Sequence, residues 1–245
     1  ASLNRNPSES TIRLLNKDYN PYAKPCEKYM WEHVSAHSSD AAIRLFVSQP
    51  ERIHWLHLCS NTHPKAIQWI QEQLEKEKEE KQHTTSKICW VELCKNPTAF
   101  GLIQTNLDKI VWSSFSLNPH DEAIDLLAQH VDKVYWHLLA LNRNGRAIRL
   151  LQEHVDLDDM CWSNLSENDC DEAMQLLKAN PARIDWSRLS KNAHPEAILM
   201  LKANPDKIHW DYLCLNRNPA VMEMLRNRPS QIRWCLLAQN PCIFV

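Results

Sequence analysis

Glycine is nearly missing from this chain, which has only Gly101 and Gly145 among its 245 residues. A Gly-rich phosphate-binding loop is therefore excluded, and with it the nucleotide-binding folds that need such a loop. No run of 18 apolar residues occurs either, so no membrane-spanning helix is expected. The formal net charge of -2 does not favour a general polyanion binder, because domains of that class are strongly basic.

The nine cysteines lack the paired short spacings of a zinc ribbon or a disulfide framework. Cys59, Cys94 and Cys214 each stand four residues after a tryptophan, where the other repeats have serine or alanine. Cysteine behaves at such a position as a small apolar residue. We therefore expect reduced, structural thiols and an intracellular protein, cytoplasmic or, for a viral protein, in the host cell or virion.

Neither a metal site nor a catalytic site is expected. The densest group of metal-ligand types is His54, His57, Cys59 and His63, and it does not have zinc spacing. No local signature of a Cys–His nucleophile pair occurs, and short regular units offer no deep pocket. The sequence thus predicts a non-enzymatic protein without a cofactor.

Tryptophan recurs at a nearly fixed interval, with successive spacings of 24, 35, 22, 24, 26, 24, 24 and 24 residues. The column consists of Trp31, Trp55, Trp90, Trp112, Trp136, Trp162, Trp186, Trp210 and Trp234. A period of this length predicts stacked units that share a core. We expect one repeat domain, 1–245, built as an all-α solenoid, or superhelix, of about nine to ten repeats and roughly 80–100 Å long.

Each repeat is predicted to contain a helix of about ten residues and a short α or 3₁₀ helix. In the interval that ends at Trp210, apolar residues with helical spacing follow Pro195, where a first-turn proline is tolerated. The pair Asn204–Pro205 should end this helix, because the residue before proline disfavours helical backbone.

Asparagine stands six residues after Trp in eight of the nine repeats. These residues are Asn61, Asn96, Asn118, Asn142, Asn168, Asn192, Asn216 and Asn240. Two structural interpretations are open: a turn residue that ends the short helix, or a hydrogen-bonded ladder between repeats. No ligand needs the same side chain at every level, so a structural role is favoured over a binding role.

The Trp column is predicted to be a buried structural spine, since an isoleucine or similar residue usually precedes each Trp by two positions. The alternative is an exposed row that stacks bases or peptide groups. Lys or Arg often stands three residues before Trp, and the residue before that base is often acidic. Because these charges largely cancel, we expect solvated first turns rather than a ridge that binds nucleic acid.

Two intervals break the period. The 35-residue gap after Trp55 holds an extra segment at 71–86, rich in Glu and Lys, which predicts a helix that begins near Pro64 and projects into water. A second insertion at 16–26 contains two prolines and predicts a loop. The first residues match the middle of a repeat, and no polar cap follows Trp234. These two ends suggest that the chain is part of a longer array, or that its C-terminal end meets another copy of the chain.

The pattern Asn-Pro, Ala-Ile, Leu-Leu, Asn-Pro, Lys-Ile, Trp, Leu-Ser, Asn resembles a short repeat found in many uncharacterised proteins of giant DNA viruses. It is carried by 172–181, 184–192 and 195–216, and the likeness covers nearly the whole chain. This resemblance implies a repeat type and no activity. The period and the Asn-Pro between helices are also similar to the leucine-rich-variant repeat, in which an α-helix alternates with a 3₁₀ helix. That family lacks the Trp column, so the similarity implies architecture only.

The function predicted first is a scaffold for protein–protein interaction, with contacts through the inserts and the variable positions next to Trp. The candidate contact residues are His54, His57, Tyr135, His137, Arg188, His209, Tyr212 and Arg233. The alternatives are a repeat protein that binds nucleic acid and a structural component of a larger, viral assembly. The protein partner is unknown, nucleic acid and membranes are not expected as partners, and self-association through the C-terminal end is an open alternative.

Overall fold

The computed structural model describes residues 31–79, 86–154, 156–240 and 242. All regular secondary structure in these ranges is α- or 3₁₀-helical, without strands, which confirms the predicted all-α class for them. No helix among these residues is long and apolar enough to cross a membrane. The insertion predicted at 16–26 lies outside the described residues.

The interval from Trp186 to Trp210 shows how one repeat is built. Its long helix is Pro195–Ala203, with the proline in the first turn, and Asn204 ends it as predicted. The 3₁₀ turn Pro205–Lys207 follows, and the next short α-helix, Trp210–Cys214, begins at Trp. The predicted short helix is therefore two elements, because extended backbone at Ile208 and His209 separates the 3₁₀ turn from the helix that begins at Trp.

These elements recur along the described chain, where residues 31–36 are also helical. No 3₁₀ turn lies among the described residues between Gly145–His154 and Asp159–Glu167, and the 3₁₀ turn Pro97–Ala99 comes before its long helix. The long helices are Asp40–Ser48, Pro64–Glu79, Phe100–Gln104, Asp121–Gln129, Gly145–His154, Asp171–Ala179, Pro195–Ala203 and Val221–Arg226. The 3₁₀ turns are Pro50–Arg52, Pro97–Ala99, Leu107–Lys109, Val131–Lys133, Pro181–Arg183, Pro205–Lys207 and Pro229–Gln231. The helices that carry Trp are Trp55–Leu58, Trp90–Leu93, Trp112–Phe115, Trp136–Leu139, Asp159–Glu167, Trp186–Leu189, Trp210–Cys214 and Trp234–Leu237.

Contacts between Cα atoms divide the chain into two compact units, Ala1–Ala123 and Ile124–Val245. The single domain expected over 1–245 therefore stays a prediction. Positions within a repeat are counted from its Trp, so position +6 is the sixth residue after Trp and position -1 is the residue before it.

Neighbouring repeats are joined by the asparagine at position +6. In the first unit, Asn61 Nδ2 donates to the carbonyl oxygens of Ser35 (2.9 Å) and His37 (3.0 Å), which are positions +4 and +6 of the preceding repeat. Asn96 Nδ2 binds the carbonyls of Cys59 and Asn61 in the same way. A helix leaves its last carbonyls without an internal partner. The asparagine of the next repeat supplies that partner.

The same ladder continues in the second unit. Asn168, Asn192, Asn216 and Asn240 each donate both amide hydrogens to the carbonyls at positions +4 and +6 of the repeat before, over 2.6–3.1 Å. Each Oδ1 also accepts the backbone N–H two residues on, as at Cys170 and His194. Both interpretations of this column are therefore correct, because one buried side chain forms the turn and the ladder.

The small residue at position +4 makes a second joint. Ser35 Oγ accepts the backbone N–H of His54 at position -1 of the next repeat (3.0 Å), and Ser190 Oγ accepts that of His209 (2.9 Å). Cysteine sulfur does the same where Cys59 accepts the N–H of Cys89 (3.3 Å). Position +4 therefore needs a residue that is small and also accepts a hydrogen bond.

Ala140 has no side-chain acceptor, and the following repeat differs from the others accordingly. Its Trp helix begins early, at Asp159, and the N-cap Asp158 accepts the N–H of Cys161 through Oδ1 at 2.7 Å. The N–H at position -1 that Ser or Cys accepts elsewhere is here satisfied within its own helix.

Replacing Asp158 by alanine should therefore cost about 1–2 kcal/mol of unfolding free energy, since the loss of an N-cap leaves a helical N–H without a partner. Urea unfolding at pH 7 measures this cost. Asp159→Ala is the control, because the Asp159 side chain is 98% exposed and only an exposed ion pair to Arg183 is lost. Equal destabilisation by the two changes would contradict the role assigned to Asp158.

The helix at the long insert is Pro64–Glu79, and its last turn is tied to the returning chain. Glu77 accepts hydrogen bonds from Ser86 Oγ (2.6 Å) and from the N–H of Lys87 (3.0 Å). Partial burial by itself would raise the pKa of Glu77, but these bonds and one from Gln73 outweigh it and lower the pKa. Residues 80–85 of the insert lie outside the described part of the chain.

The lowered pKa makes this tie sensitive to acid. A carboxylate whose pKa is lower in the folded state adds stability above its unfolded pKa, and that stability is lost as the pH falls through the folded pKa. We expect Glu77→Gln to be less stable than the wild type at pH 7, and the difference to vanish at acid pH. Urea unfolding from pH 7 to pH 3 tests this, with Glu75→Gln at an exposed site as control. A difference that does not shrink as the pH falls would contradict it.

Candidate binding surface

The Trp column is less buried than predicted. Trp31 and Trp162 are buried, with 7% and 8% of their surface exposed, but Trp234 is 69% exposed. The other six are partly buried. The residue at position +3 is instead buried in every described repeat; it is leucine in most, as at Leu58, Leu93 and Leu189, and Val34 or Phe115 in the other two.

Basic side chains cover several of these half-buried indoles. Arg52 lies 5.6 Å from the ring centre of Trp31, Lys87 lies 5.8 Å from that of Trp55, and Lys207 lies 4.5 Å from that of Trp186. Each base stands three residues before one Trp and stacks on the Trp of the preceding repeat. A cation over an indole face is attracted by the ring quadrupole. The recurrent bases are therefore part of the joints between repeats, which argues against a ridge that binds nucleic acid.

The buried cysteines at position +4 are also part of the joints between repeats. Burial raises the pKa of Cys59 to about 12, against a weaker opposing effect of the hydrogen bond from Cys89. Burial likewise raises the pKa of Cys94 and of Cys214. None of the cysteines in the described residues forms a disulfide.

Thiol reactivity should follow this burial. At pH 8 we expect iodoacetamide to alkylate exposed Cys235 at least tenfold faster than Cys59, because the thiolate is the reactive species. Mass spectrometry of peptides after timed alkylation gives both rates, and the same reaction in urea should remove the difference. Rapid alkylation of Cys59 in the native protein would contradict the burial of this thiol in a joint between repeats.

The contact residues predicted from the sequence lie next to Trp, at positions -1, +1 and +2. Position -1 lies beside position +1 of the preceding repeat, as the pairs Asp211–Arg233 (3.0 Å) and Ser163–Asp185 (2.6 Å) show. These positions therefore line one face within each unit, and their residue types vary from repeat to repeat.

The predicted contact residues of the second unit lie on this face. Tyr135 is 46% and Tyr212 39% exposed, and Arg188, His209 and Arg233 are exposed as well. His137 is half-buried and lies edge-on to Tyr135, with 6.2 Å between ring centres. In the first unit His54 and His57 are half-buried and lie against each other, 4.8 Å apart.

The histidine pair of the first unit has titratable neighbours. Burial and the neighbouring His54 lower the pKa of His57. His54 Nε2 lies 3.8 Å from Glu32 of the preceding repeat. Within the described ranges no group of three or more His, Cys, Asp or Glu side chains is placed to hold a metal ion.

The structure also brings together residues that the sequence did not single out. Glu167 lies between Arg188 and Lys191 of the next repeat; its Oε2 accepts from Arg188 at 2.6 Å and its Oε1 from Lys191. Partial burial would raise the pKa of Glu167, but these two bonds outweigh it and lower the pKa. The 24-residue separation of Glu167 and Lys191, one repeat period, was the only signal of this contact in the sequence.

A polar groove of about 460 Å³ runs beside that cluster, lined by residues that include Lys191, Ala193, Leu215 and Arg217. Its residues come from positions +5 and +7, on either side of the buried asparagine. Positions +5 and +7 were not among the predicted contact positions, because sequence spacing does not show that they share a surface with position +2.

Comparison with known proteins finds no matching family model, no matching curated protein and no matching solved structure.

Proposed function

We propose that this chain is a non-enzymatic scaffold that binds protein partners, and that its repeats stack as an α-solenoid. Two kinds of joint support the stacking within each unit: the asparagine at position +6 and the small acceptor at position +4. Such arrays offer long surfaces on which each repeat contributes a few side chains.

The observation that carries the proposal is that some positions of the repeat form the joints between repeats, whereas others do not and differ from repeat to repeat. Position +3 is buried in every described repeat and positions +4 and +6 in most, and Arg52, Lys87 and Lys207, three residues before a Trp, lie over indole rings. At positions -1, +1 and +2 the residue type and the exposure both vary between repeats, and the exposed residues include two large aromatic ones, Tyr135 and Tyr212. Tyrosine is enriched at protein interfaces because it combines a broad apolar ring with a hydrogen-bonding hydroxyl.

The test is co-purification of partners from the cells that make the protein, with mass spectrometry of the bound proteins. The double variant Tyr135→Ala/Tyr212→Ala should lose at least one specific partner that the wild type retains. The matched control Leu199→Ala/Val131→Ala also removes two exposed apolar side chains, from a long helix and a 3₁₀ turn, and should keep that partner. Identical protein sets for the wild type and both variants would contradict the proposed surface.

A further inference from the structure

The second unit has one patch where cations, an aromatic ring and a groove meet. We call it the Tyr212 patch and define it by Arg188, Lys191, His209, Tyr212, Leu215 and Arg217. His209 and Tyr212 stack with 4.4 Å between ring centres, at an angle of 26°. Lys191, Leu215 and Arg217 line the groove of about 460 Å³.

The charges of the patch are unbalanced toward positive. Glu167 is the one carboxylate that Arg188 and Lys191 bind, so this cluster of three keeps one positive charge. Arg217 is exposed and makes no ion pair with any residue of the described ranges. The neighbouring acids Asp169 and Asp211 are neutralised by Arg143 and Arg233. Asp185 also lies near Arg188, so the positive excess of the patch and its neighbouring acids is a single charge.

Glu167 holds two of these cations, Arg188 and Lys191, in place. The bond to Glu167 orients Arg188 and raises the pKa of its guanidinium. Tyr212 lies close enough to Arg188 to add to that shift. Ala193 stands between Asp169 and Arg217 along position +7, and its short side chain leaves space in the groove. A binding group that enters here would meet the bases Lys191 and Arg217 and the Leu215 side chain, and also the acids Glu167 and Asp169, each of which is already bonded to a base.

We propose that the Tyr212 patch binds an extended, acidic peptide segment of a protein partner. This inference rests on the proposed scaffold function and names the partner chemistry for that surface. Helices of adjacent repeats pack about 8–10 Å apart, and an extended chain advances about 3.3 Å per residue. Every third residue of such a peptide would therefore face the next repeat. Carboxylates at that spacing match Lys191 and Arg217, which occupy successive repeats.

A peptide fits this face better than a nucleic acid does. A nucleic acid carries one phosphate per nucleotide and would press some of these charges against Asp169 and Asp211. A peptide can place uncharged residues opposite those acids and carboxylates opposite the bases. The small number of unpaired bases also favours a partner with few charges.

Fluorescence anisotropy with the full chain tests the inference. The probe is a fluorescein-labelled peptide of four Glu-Ser-Ala triplets, and we expect saturable binding that weakens between 50 and 300 mM salt. Arg217→Glu should weaken binding at least tenfold. Arg226→Glu changes the net charge equally but lies at the end of a long helix, so it should change binding less than twofold. A peptide of Lys-Ser-Ala triplets should not bind.

Three results would overturn the inference. They are no saturable binding of the Glu peptide, equal losses in Arg217→Glu and Arg226→Glu, or tighter, Arg217-dependent binding of a labelled 12-nucleotide oligouridine. Arg217→Gln, expected to weaken binding about threefold, guards against misfolding of the charge-reversal variant. The co-purification experiment separates the two proposals. If the Tyr135→Ala/Tyr212→Ala variant loses a partner while the Glu peptide fails to bind, only the acidic-peptide inference falls.

Discussion

Replacing Asn192 by alanine is expected to lower the free energy of unfolding of the second unit by about 3–5 kcal/mol. The Asn192 side chain is 1% exposed and donates to the carbonyls of Ser166 (3.1 Å) and Asn168 (2.8 Å). It also accepts the N–H of His194 at 2.8 Å. Alanine leaves these three backbone groups without their partner, and each buried unsatisfied group costs about 1–3 kcal/mol. Urea unfolding followed by circular dichroism measures the loss.

Asn204→Ala is the matched control, because Asn204 bonds only within its own repeat, from Nδ2 to the carbonyl of Met200 (2.9 Å). We expect it to cost about 1 kcal/mol or less. Asn192→Asp should be at least as damaging as Asn192→Ala, since it keeps the acceptor but turns a carboxylate oxygen toward two carbonyl oxygens. Similar losses of unfolding free energy for Asn192→Ala and Asn204→Ala would contradict the stabilising role of the asparagine ladder.

The second large effect is expected at leucine rather than at tryptophan. Leu189, at position +3, is 0% exposed, and Leu189→Ala should cost about 2–5 kcal/mol because it leaves a cavity in a closed core. Trp234 is 69% exposed, so Trp234→Ala should cost less than about 1 kcal/mol despite the larger change in volume. The unfolding free energies of the two variants, measured under one condition, give the comparison.

The two variants also check each other, since both change the second unit. If Trp234→Ala lowered the free energy of unfolding more than Leu189→Ala did, the result would favour the Trp column as the structural spine. Leu236→Ala, at a half-buried position of the same short helix as Trp234, should fall between them and controls for fraying of that helix.

Sequence periodicity was enough to predict the long helix of the repeat that contains Trp186, with both its ends. Pro195 and Asn204–Pro205 bound a helix because proline restricts the backbone locally, and that restriction does not depend on neighbours. The asparagine at position +6 was open to two interpretations. Its hydrogen bond in the turn is local, whereas its hydrogen bonds in the ladder reach the preceding repeat, which the sequence does not show. Only the structure shows that Asn192 makes both.

The burial of Trp could not be predicted, because the sequence does not show what lies over the indole. Lys207 of the next repeat places its amino group over Trp186, so part of the ring faces a charged side chain instead of a packed core. The early start of the helix at Asp159 was missed for a related reason. It coincides with the missing side-chain acceptor at Ala140, and that residue belongs to the repeat before.

The candidate surface was predicted in part. The variable positions next to Trp, such as Tyr212 and Arg233, do lie on an exposed face. Glu167, Lys191 and Arg217 were not selected, since positions +5 and +7 flank a buried asparagine and no local pattern marks them as exposed together. Their association depends on the pairing of side chains across repeats, as in the bond from Arg188 to Glu167.

The most direct test of the scaffold function is site-specific photo-crosslinking in the cells that make the protein. A photoreactive phenylalanine derivative would replace Tyr212 on the proposed surface, or Leu199, which is 59% exposed on a long helix. A binding scaffold predicts a discrete protein adduct from position 212 that Arg217→Glu weakens, and none of that mass from position 199. The same adducts from both positions, or an adduct at position 212 that nuclease removes, would contradict the account.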